Sequence, residues 1–159
     1  MPVLNRFYLM PNAPAGTPNF HFGPLFALGP RLPIEIHVPT ALAKHLSQNG
    51  QPVPAPLSGW ALIDTGASVT CVDANAIQSL GVQPVGVVNV GTPSTAGTPQ
   101  NQYPVRLVFP GSPLPGLETM HAIGSVLQPQ KLLALIGRDA LASLVLVYNG
   151  PGGFITLAI

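Results

Sequence analysis

Proline and glycine are spread along almost the whole chain, and this spacing limits what the chain can fold into. The 159 residues include 20 prolines and 17 glycines, which separate short apolar runs and do not collect in one tract. Proline interrupts the interior of helices, and both residues are common in turns. The spacing therefore predicts many short strands joined by turns, in a mostly β domain.

The composition favours a folded protein that associates with itself. Hydrophobic residues make up 47% of the chain and charged residues only 7%, which is far from the composition of disordered proteins. The six Lys and Arg residues are widely separated and the formal net charge is +1, so we expect no nucleic-acid partner. Little net charge separates such surfaces, which favours self-association.

Cysteine content and hydropathy indicate the compartment. Cys71 is the single cysteine, so an intrachain disulfide framework is excluded, and we expect this residue to be a buried small hydrophobe. The chain has no secretion signal at its start and no apolar run long enough for a membrane span. These features predict a cytoplasmic protein with no membrane partner.

The chain divides into an N-terminal extension, residues 1–30, and a domain, residues 31–159. Prolines interrupt the apolar runs of the extension, so at most edge strands are expected there. In the domain, alternation over residues 34–38 predicts a half-buried strand with His37 facing solvent. Thr40 is then predicted to be the N-cap of a short helix that stops at Asn49-Gly50.

Two apolar strands are predicted, the first ending in a tight turn and the second before a short helical turn. Residues 60–63 form a continuous apolar run, predicting a buried strand that ends at the tight turn Asp64-Thr-Gly-Ala67. Asp73 is predicted to cap a helix through Leu80. Residues 132–136 form the second strand, which ends at Gly137-Arg-Asp139.

Hairpins are predicted between and after these two turns. Residues 85–90 and 103–109 flank a polar stretch, residues 91–98, which predicts a long hairpin with a flexible tip. Residues 116–123 are predicted to form another strand. A terminal hairpin is expected from residues 144–148 and 154–159.

The number of acidic residues restricts the chemistry. The chain has five of them, and only Asp64 lies in a tight turn after a buried strand; the five are Glu35, Asp64, Asp73, Glu118 and Asp139. Two carboxylates that share one proton can activate water and protonate a peptide group. One chain cannot supply such a pair, whereas a two-fold symmetric dimer brings the same residue from both subunits to the axis.

Two segments resemble the signatures of retropepsin-like aspartic proteases. They are Ala61-Leu-Ile-Asp-Thr-Gly-Ala-Ser-Val-Thr70 and Ala134-Leu-Ile-Gly-Arg-Asp-Ala-Leu141. Over residues 34–159 the resemblance implies a closed-barrel-like acid protease fold with one or two short helices and a flap hairpin. It implies an aspartic endopeptidase that is an obligate homodimer, takes a polypeptide substrate and needs no cofactor.

The resemblance also implies roles for single residues around the turn. Asp64 would be the catalytic aspartate, and Thr65 would join the two loops by hydrogen bonds across the dimer. Gly66 would allow close approach of the substrate backbone. Ala67 and Ser68 would line the cleft.

Further substrate contacts are implied at the flap and behind the turn. The flap tip from residue 92 to residue 98, with Thr95, Ala96 and Gly97, would close over the peptide. Ile136 would pack behind the catalytic loop and contact substrate side chains. Gly137 would have a structural role at the start of the following short helix.

The chain departs from the retroviral pattern in two places. Ser68 stands where retroviral enzymes have an acid that often pairs with the structural Arg138, so this arginine is expected to find Asp73, Asp139 or backbone carbonyls. The tip carries Pro93, Ser94 and Thr95 in place of a glycine-rich apolar flap.

Other interpretations accompany the protease prediction. The turn at Asp64 could be an ordinary one, since Asp and Gly are common in turns. The altered flap and Ser68 suggest a catalytically inactive, dimeric peptide-binding or assembly module of the same fold. The proline-rich, charge-poor composition also fits a shell or scaffold protein. No metal site is expected, because the histidines show no ligand spacing; they are His21, His37, His45 and His121.

Overall fold

The structure is a computed structural model that describes residues 1–8, 23–92 and 95–159, apart from the side chains of Thr92 and Thr95. These residues are mostly β, as the proline and glycine spacing predicts. The strands are β1 (Val3–Phe7), β2 (Arg31–His37), β3 (Leu57–Ile63), β4 (Cys71–Asp73), β5 (Gly86–Thr92), β6 (Thr95–Val108), β7 (Leu117–Ser125), β8 (Ala134–Ile136), β9 (Val145–Asn149) and β10 (Phe154–Ala158). The helices are α1 (Pro24–Leu28), α2 (Thr40–Gln48), α3 (Ala74–Ser79) and α4 (Arg138–Leu141), with a 3-10 turn at Gln128–Gln130.

Six strands form a closed ring in the order β2, β3, β8, β4, β7 and β6. The ring closes because β2 pairs with β6 as well as with β3. Strand β5 pairs only with β6 and extends outside the ring as the outer arm of a hairpin. Within the ring, β3 and β8 run parallel, as do β4 and β7.

A second sheet contains the strands near the two ends of the described chain. Its order is β1, β10 and β9, and both pairings are antiparallel. Strand β1 is therefore an edge strand, and Val3 of β1 lies opposite Ala158 of β10. The residues predicted to be an N-terminal extension thus contribute to a sheet with the last strand.

The core fills the ring and the space between the two sheets. Strand β2 alternates as its sequence predicts, with Leu32, Ile34 and Ile36 buried. His37 is half-buried, and its ring nitrogen Nε2 lies 3.0 Å from the Glu35 carboxylate. Burial of such large aliphatic side chains supplies most of the stabilisation of a domain of this kind.

Several local predictions are confirmed, and their physical basis is visible. The Asp73 side chain accepts a hydrogen bond from the backbone N of Ala76 at 3.0 Å and so caps α3. Gly50 and Gly81 follow the ends of α2 and α3 with left-handed backbones, at φ +65° and +71°. The strand over residues 116–123 and the terminal hairpin also form, as β7, β9 and β10.

Other local predictions are wrong. Thr40 is the first residue of α2 and Pro39 is the N-cap, because the Thr40 hydroxyl donates to the Glu118 carboxylate on β7. Strand β3 is not buried throughout, since Trp60 is 42% exposed while Ala61 is fully buried. The polar stretch from residue 91 to residue 98 largely continues the paired hairpin, with Val90 opposite Thr98. Its tip, Pro93 and Ser94, lies outside the described residues.

Candidate functional site

The turn that carries Asp64 holds its carboxylate with its own backbone. The backbone N of Gly66 donates to Asp64 Oδ1 at 2.9 Å, and the N of Ala67 donates to the same oxygen at 3.2 Å. Among the described residues, nothing donates a hydrogen bond to the other oxygen, Oδ2. Asp64 is half-buried, so one carboxylate oxygen is fixed and the other remains available.

Parallel pairing of β3 and β8 places the two predicted turns side by side. Residues 61–63 and residues 134–136 are both Ala-Leu-Ile and lie in register. At the strand ends, Asp64 N donates to Ile136 O at 3.0 Å. The chain after β8 donates back, from Arg138 N to Ala67 O at 3.0 Å and from Asp139 N to Ser68 O at 3.2 Å.

Arg138 connects the second turn to the first through its guanidinium group. Nη1 donates to the carbonyl oxygens of Thr65 and Gly66, at 2.8 and 3.1 Å. Nη2 donates to the Ser68 hydroxyl at 2.9 Å. Of the three kinds of partner expected for this arginine, Asp73, Asp139 or backbone carbonyls, it uses the carbonyls, and Ser68, which stands in place of an acid, is a further partner.

Thr70 and Asp139 form a second connection beneath the turn. The buried Thr70 hydroxyl donates to Asp139 Oδ1 at 2.8 Å and accepts from Gly137 N at 3.1 Å. The backbone N of Thr70 donates to the same Asp139 oxygen at 2.8 Å. A Cβ added to Gly137 would lie 2.5 Å from the backbone carbon of Val69, so glycine is required for this close approach.

A groove of about 640 Å³ opens above the turn. Asp64 is the one acidic residue among its lining residues, and β5 of the hairpin forms the opposite wall. The lining is mostly apolar, and a volume of this size suits a ligand-binding cleft. The lining residues are Asp64, Gly66, Ala67, Ser68, Val69, Cys71, Val88, Asn89, Val90, Gly91 and Ile123.

The structure distributes the predicted site residues unevenly around this groove. Ala67 and Ser68 line it, whereas Thr65 is exposed beside it and is not part of the lining. Ala96 and Gly97 are exposed on β6 and do not line the groove. The side chain of Thr95 lies outside the description.

Ile136 lies in the core, at the end of the strand beside the Asp64 turn. It is fully buried, and it is absent from the lining of the groove. The expected contact with substrate side chains is therefore not possible in this conformation. It forms the end of β8, opposite Ile63.

The hairpin wall of the groove was missed at the sequence level. Val88 and Val90 are half-buried on one face of β5, while Val87 and Asn89 are exposed. The sequence does not show this wall as an apolar–polar alternation, because Val87 is apolar as well and Asn89 also lines the groove. The contribution of Ile123 could not be predicted either, because β7 reaches the groove through its pairing with β4.

Cys71 lines the groove and is half-buried, which corrects the expectation of a buried residue. Burial raises the pKa of the Cys71 thiol, the Ser125 hydrogen bond lowers it, and the charges of Asp139 and Asp64 raise it further. The thiol is therefore neutral near neutral pH and a weak nucleophile.

The rest of the described chain offers neither a metal site nor a membrane-spanning helix. In residues 1–8, 23–92 and 95–159, no three His, Cys, Asp or Glu side chains are grouped to hold a metal ion. No helix in this part of the chain has the length and apolar character needed to cross a bilayer. Protein-family models, curated proteins and solved structures were all compared with the chain, and none matches it.

Proposed function

We propose that the chain is an aspartic endopeptidase with a retropepsin-like fold, in which the Asp64 residues of two subunits form the catalytic pair. The observation that carries this proposal is the position of Asp64. It is the one acid in a mostly apolar groove, and it lies on a turn fixed by the neighbouring strand end. Polypeptide is the substrate class that a mostly apolar groove with a β hairpin as one wall would accept.

The fold supports the retropepsin assignment in three respects. The six-stranded ring is closed, and the parallel strands β3 and β8 place the two turns together. The β5–β6 hairpin lies over the groove with Val88 and Val90 facing it. A lid in this position would exclude water from a bound peptide.

The chemistry requires a second carboxylate, which a second subunit would supply. Two carboxylates about 3 Å apart hold one proton between them, because like charges so close cannot both ionise. The ionised carboxylate takes a proton from water, and the water oxygen attacks the peptide carbonyl carbon. The protonated carboxylate donates to the carbonyl oxygen, and a proton then passes to the leaving amine.

Two exposed regions support self-association into such a dimer. Thr65 and Gly66 are exposed at the tip of the catalytic turn, where a second copy of the turn can contact them. The terminal sheet also exposes large apolar side chains, namely Phe7, Val145, Val147 and Tyr148. Exposed apolar surface of this kind is typical of interfaces between subunits.

One observation favours an inactive peptide-binding module as the second candidate. Asp64 Oδ1 accepts two hydrogen bonds within its own turn, which is the arrangement of an Asx turn that needs no catalytic role. Such a protein would still dimerise and hold a peptide in the groove. It would not cleave the peptide.

Cleavage of a mixed peptide library from about pH 3 to about pH 8 tests the proposal. Asp64→Asn removes the titrating group but keeps an oxygen for the Gly66 and Ala67 amides, and Glu35→Gln is the matched control. We expect cleavage by wild type and Glu35→Gln, none by Asp64→Asn, and the mass of a dimer for all three by light scattering. Cleavage that persists in Asp64→Asn would refute the proposal. If wild type and both variants form folded dimers and none of them cleaves a peptide, the binding module is favoured.

A further inference from the structure

A pocket separate from the groove lies between the six-stranded ring and the second sheet, which contains β1, β10 and β9. It has a volume of about 240 Å³ and is lined by Arg6, Tyr8, Leu28, Arg31, Trp60 and Lys131. Arg6 and Tyr8 come from β1 and the residue after it, whereas Trp60 belongs to β3. Trp60 precedes Asp64 by four residues, which places it about 13 Å away along an extended strand. The pocket is therefore distinct from the groove, with which it shares no lining residue.

The lining combines positive charge with aromatic and aliphatic surface. Arg6, Arg31 and Lys131 are three of the six Lys and Arg residues of the chain. Trp60 is partly exposed, and Leu28 adds apolar surface. Half of the Lys and Arg residues of the chain therefore line one small pocket, and no Asp or Glu lines it.

The acids of the chain do not neutralise these cations, because each has partners elsewhere. The first acid in the sequence is Glu35, and the described ion pairs are His37 with Glu35 and Arg106 with Glu118. Asp64 and Asp139 bind within the two turns, and Asp73 binds backbone N–H groups of residues 76, 127 and 128. A negative charge in this pocket would have to come from another molecule.

Arg6 brings to the pocket a guanidinium group that donates no hydrogen bond to any described residue. Among these residues its Nε is buried without an acceptor, although buried donors are normally satisfied. Arg6 as a whole is half-buried, so a ligand would meet the outer nitrogens of the group and not the enclosed Nε. The carbon Cζ of its guanidinium group lies 5.3 Å from the centre of the Trp60 ring and 6.0 Å from that of Tyr8. The rings hold the guanidinium at the pocket without supplying an acceptor.

Arg31 and Tyr8 fix the wall between these groups. Arg31 Nε donates to Leu28 O at 2.9 Å, and the Tyr8 hydroxyl donates to Arg31 O. Burial raises the pKa of Tyr8 to about 12, so this phenol remains neutral and adds no negative charge. Lys131 has a left-handed backbone at φ 55°, directly after the 3-10 turn.

We propose that this pocket binds a small amphipathic carboxylate, with its apolar body against Trp60 and Leu28 and its charge between Arg6 and Lys131. The volume sets the size of the body. It is below the range of about 300–1,000 Å³ typical of drug-sized ligands, and an engineered cavity of about 150 Å³ is known to bind benzene. One aromatic ring with a short carboxylate arm therefore fits. The source is either a free aromatic acid or the C-terminal aromatic residue of a peptide.

The fluorescence of Trp60 reports binding directly, because it is the only tryptophan of the chain. The probe is 3-phenylpropanoate, titrated to about 10 mM; its neutral amide and acetate serve as controls for the charge and the ring. A tripeptide ending in phenylalanine, as free acid and as amide, distinguishes the two sources. The full chain is used throughout.

Three variants separate the pocket charge from general electrostatics. Lys131→Asn removes the charge and retains a residue that tolerates a left-handed backbone, and Lys44→Asn on the exposed face of α2 is its matched control. Arg6→Lys keeps the charge but loses the planar donor group, and circular dichroism verifies the fold of each variant.

We expect a saturable change in fluorescence with the acid, and binding about tenfold weaker for the amide and for Lys131→Asn. Lys44→Asn should bind as wild type, and Arg6→Lys should bind more weakly than wild type. If the free-acid tripeptide binds and its amide does not, chain ends are a source; if only 3-phenylpropanoate binds, the source is a free acid. No response to either acid, equal binding of the amide, or equal weakening by Lys44→Asn would overturn the proposal.

Discussion

Asp64 and Asp139 follow parallel strands of identical Ala-Leu-Ile sequence, yet their side chains have different surroundings. Asp64 lines the groove and is held only by amides of its own turn. Asp139 lies outside the groove lining, and its Oδ1 is bound by the backbone and hydroxyl of Thr70. Position at a strand end therefore does not decide the role of a carboxylate. What its oxygens contact and which surface it faces decide it.

The largest expected effect is the difference in activity between two single variants, Asp64→Asn and Asp139→Asn. Asp64→Asn should reduce kcat/KM on a cleaved peptide by on the order of 10³-fold or more, since a carboxylate of the catalytic pair is lost. Asp139→Asn keeps an acceptor oxygen for Thr70 and should change kcat/KM by only about twofold. Steady-state kinetics on both variants measures the contrast, and comparable losses in the two would remove the distinction.

The glycines of the two turns should differ in stability. Gly137→Ala places a Cβ 2.5 to 2.8 Å from backbone atoms of Val69 and Thr70, which cannot move without breaking the connection between the turns. We expect a loss of about 3 kcal/mol in the free energy of unfolding. In Gly66→Ala the new Cβ meets only Asp64 Oδ1, at 3.1 Å, so about 1 kcal/mol is expected, with a larger effect on activity.

Urea unfolding of both glycine variants measures this difference. Gly50→Ala is a useful reference, because Gly50 has a left-handed backbone but open space around it. A smaller loss in Gly137→Ala than in Gly66→Ala would mean that the second turn is not the more tightly packed of the two.

Arg138 connects the two regions, and its planar group is expected to matter more than its charge. Arg138→Lys cannot donate simultaneously to Thr65 O, Gly66 O and Ser68 Oγ. We expect kcat/KM to fall about tenfold, because the turn that carries Asp64 loses its support. Ser68→Ala removes one acceptor of Arg138, and its kcat/KM should be only about twofold lower than that of wild type. Equal activity of wild type and Arg138→Lys would contradict this positioning role.

The smallest expected effect uses Cys71 as a reporter of both carboxylates. Burial is the main cause that raises the pKa of its thiol, and the charge of Asp139 contributes more than that of Asp64. Asp139→Asn should therefore lower the pKa of the thiol more than Asp64→Asn does. The rate of alkylation by iodoacetamide against pH measures this, and the reverse order would show that Asp64 is the closer electrostatic neighbour.

The sign of the corresponding stability change follows from linkage. An unfolded thiol ionises near its ordinary pKa of 9.0, whereas the folded one ionises at higher pH. The contribution of Cys71 to stability is therefore complete below about pH 9 and is lost as the pH rises through the folded pKa. Cys71→Ser should show a smaller loss of stability over that alkaline range.

Local features of the sequence predicted much of the fold. The Asp73 cap, the glycines after α2 and α3 and the terminal hairpin depend on neighbours in the chain, so their patterns suffice. The position of Thr40 could not be predicted, because its partner Glu118 is 78 residues away. The contact of Arg6 with the Trp60 ring could not be predicted for the same reason, since Arg6 reaches the ring from the other sheet.

The candidate site also has one part that local motifs predicted and another that depends on contacts between distant strands. The Asp64 turn and its neighbour at Gly137 were predicted from their motifs, and parallel pairing brings them together. The groove was predicted only in part, because Ile136 lies in the core, Val88 and Val90 form part of the described wall, and Ala96 and Gly97 lie outside the lining. Which residues face a groove depends on pairing and twist between distant strands.

The most direct test of a catalytic pair drawn from two chains is a mixing experiment. Wild type and Asp64→Asn are mixed at constant total concentration, allowed to exchange subunits, and assayed for peptide cleavage. If each active site needs Asp64 from both subunits, an equal mixture has about a quarter of the wild-type activity, since only dimers of two wild-type chains act. Activity of about half, in proportion to the wild-type chains present, would contradict the shared active site.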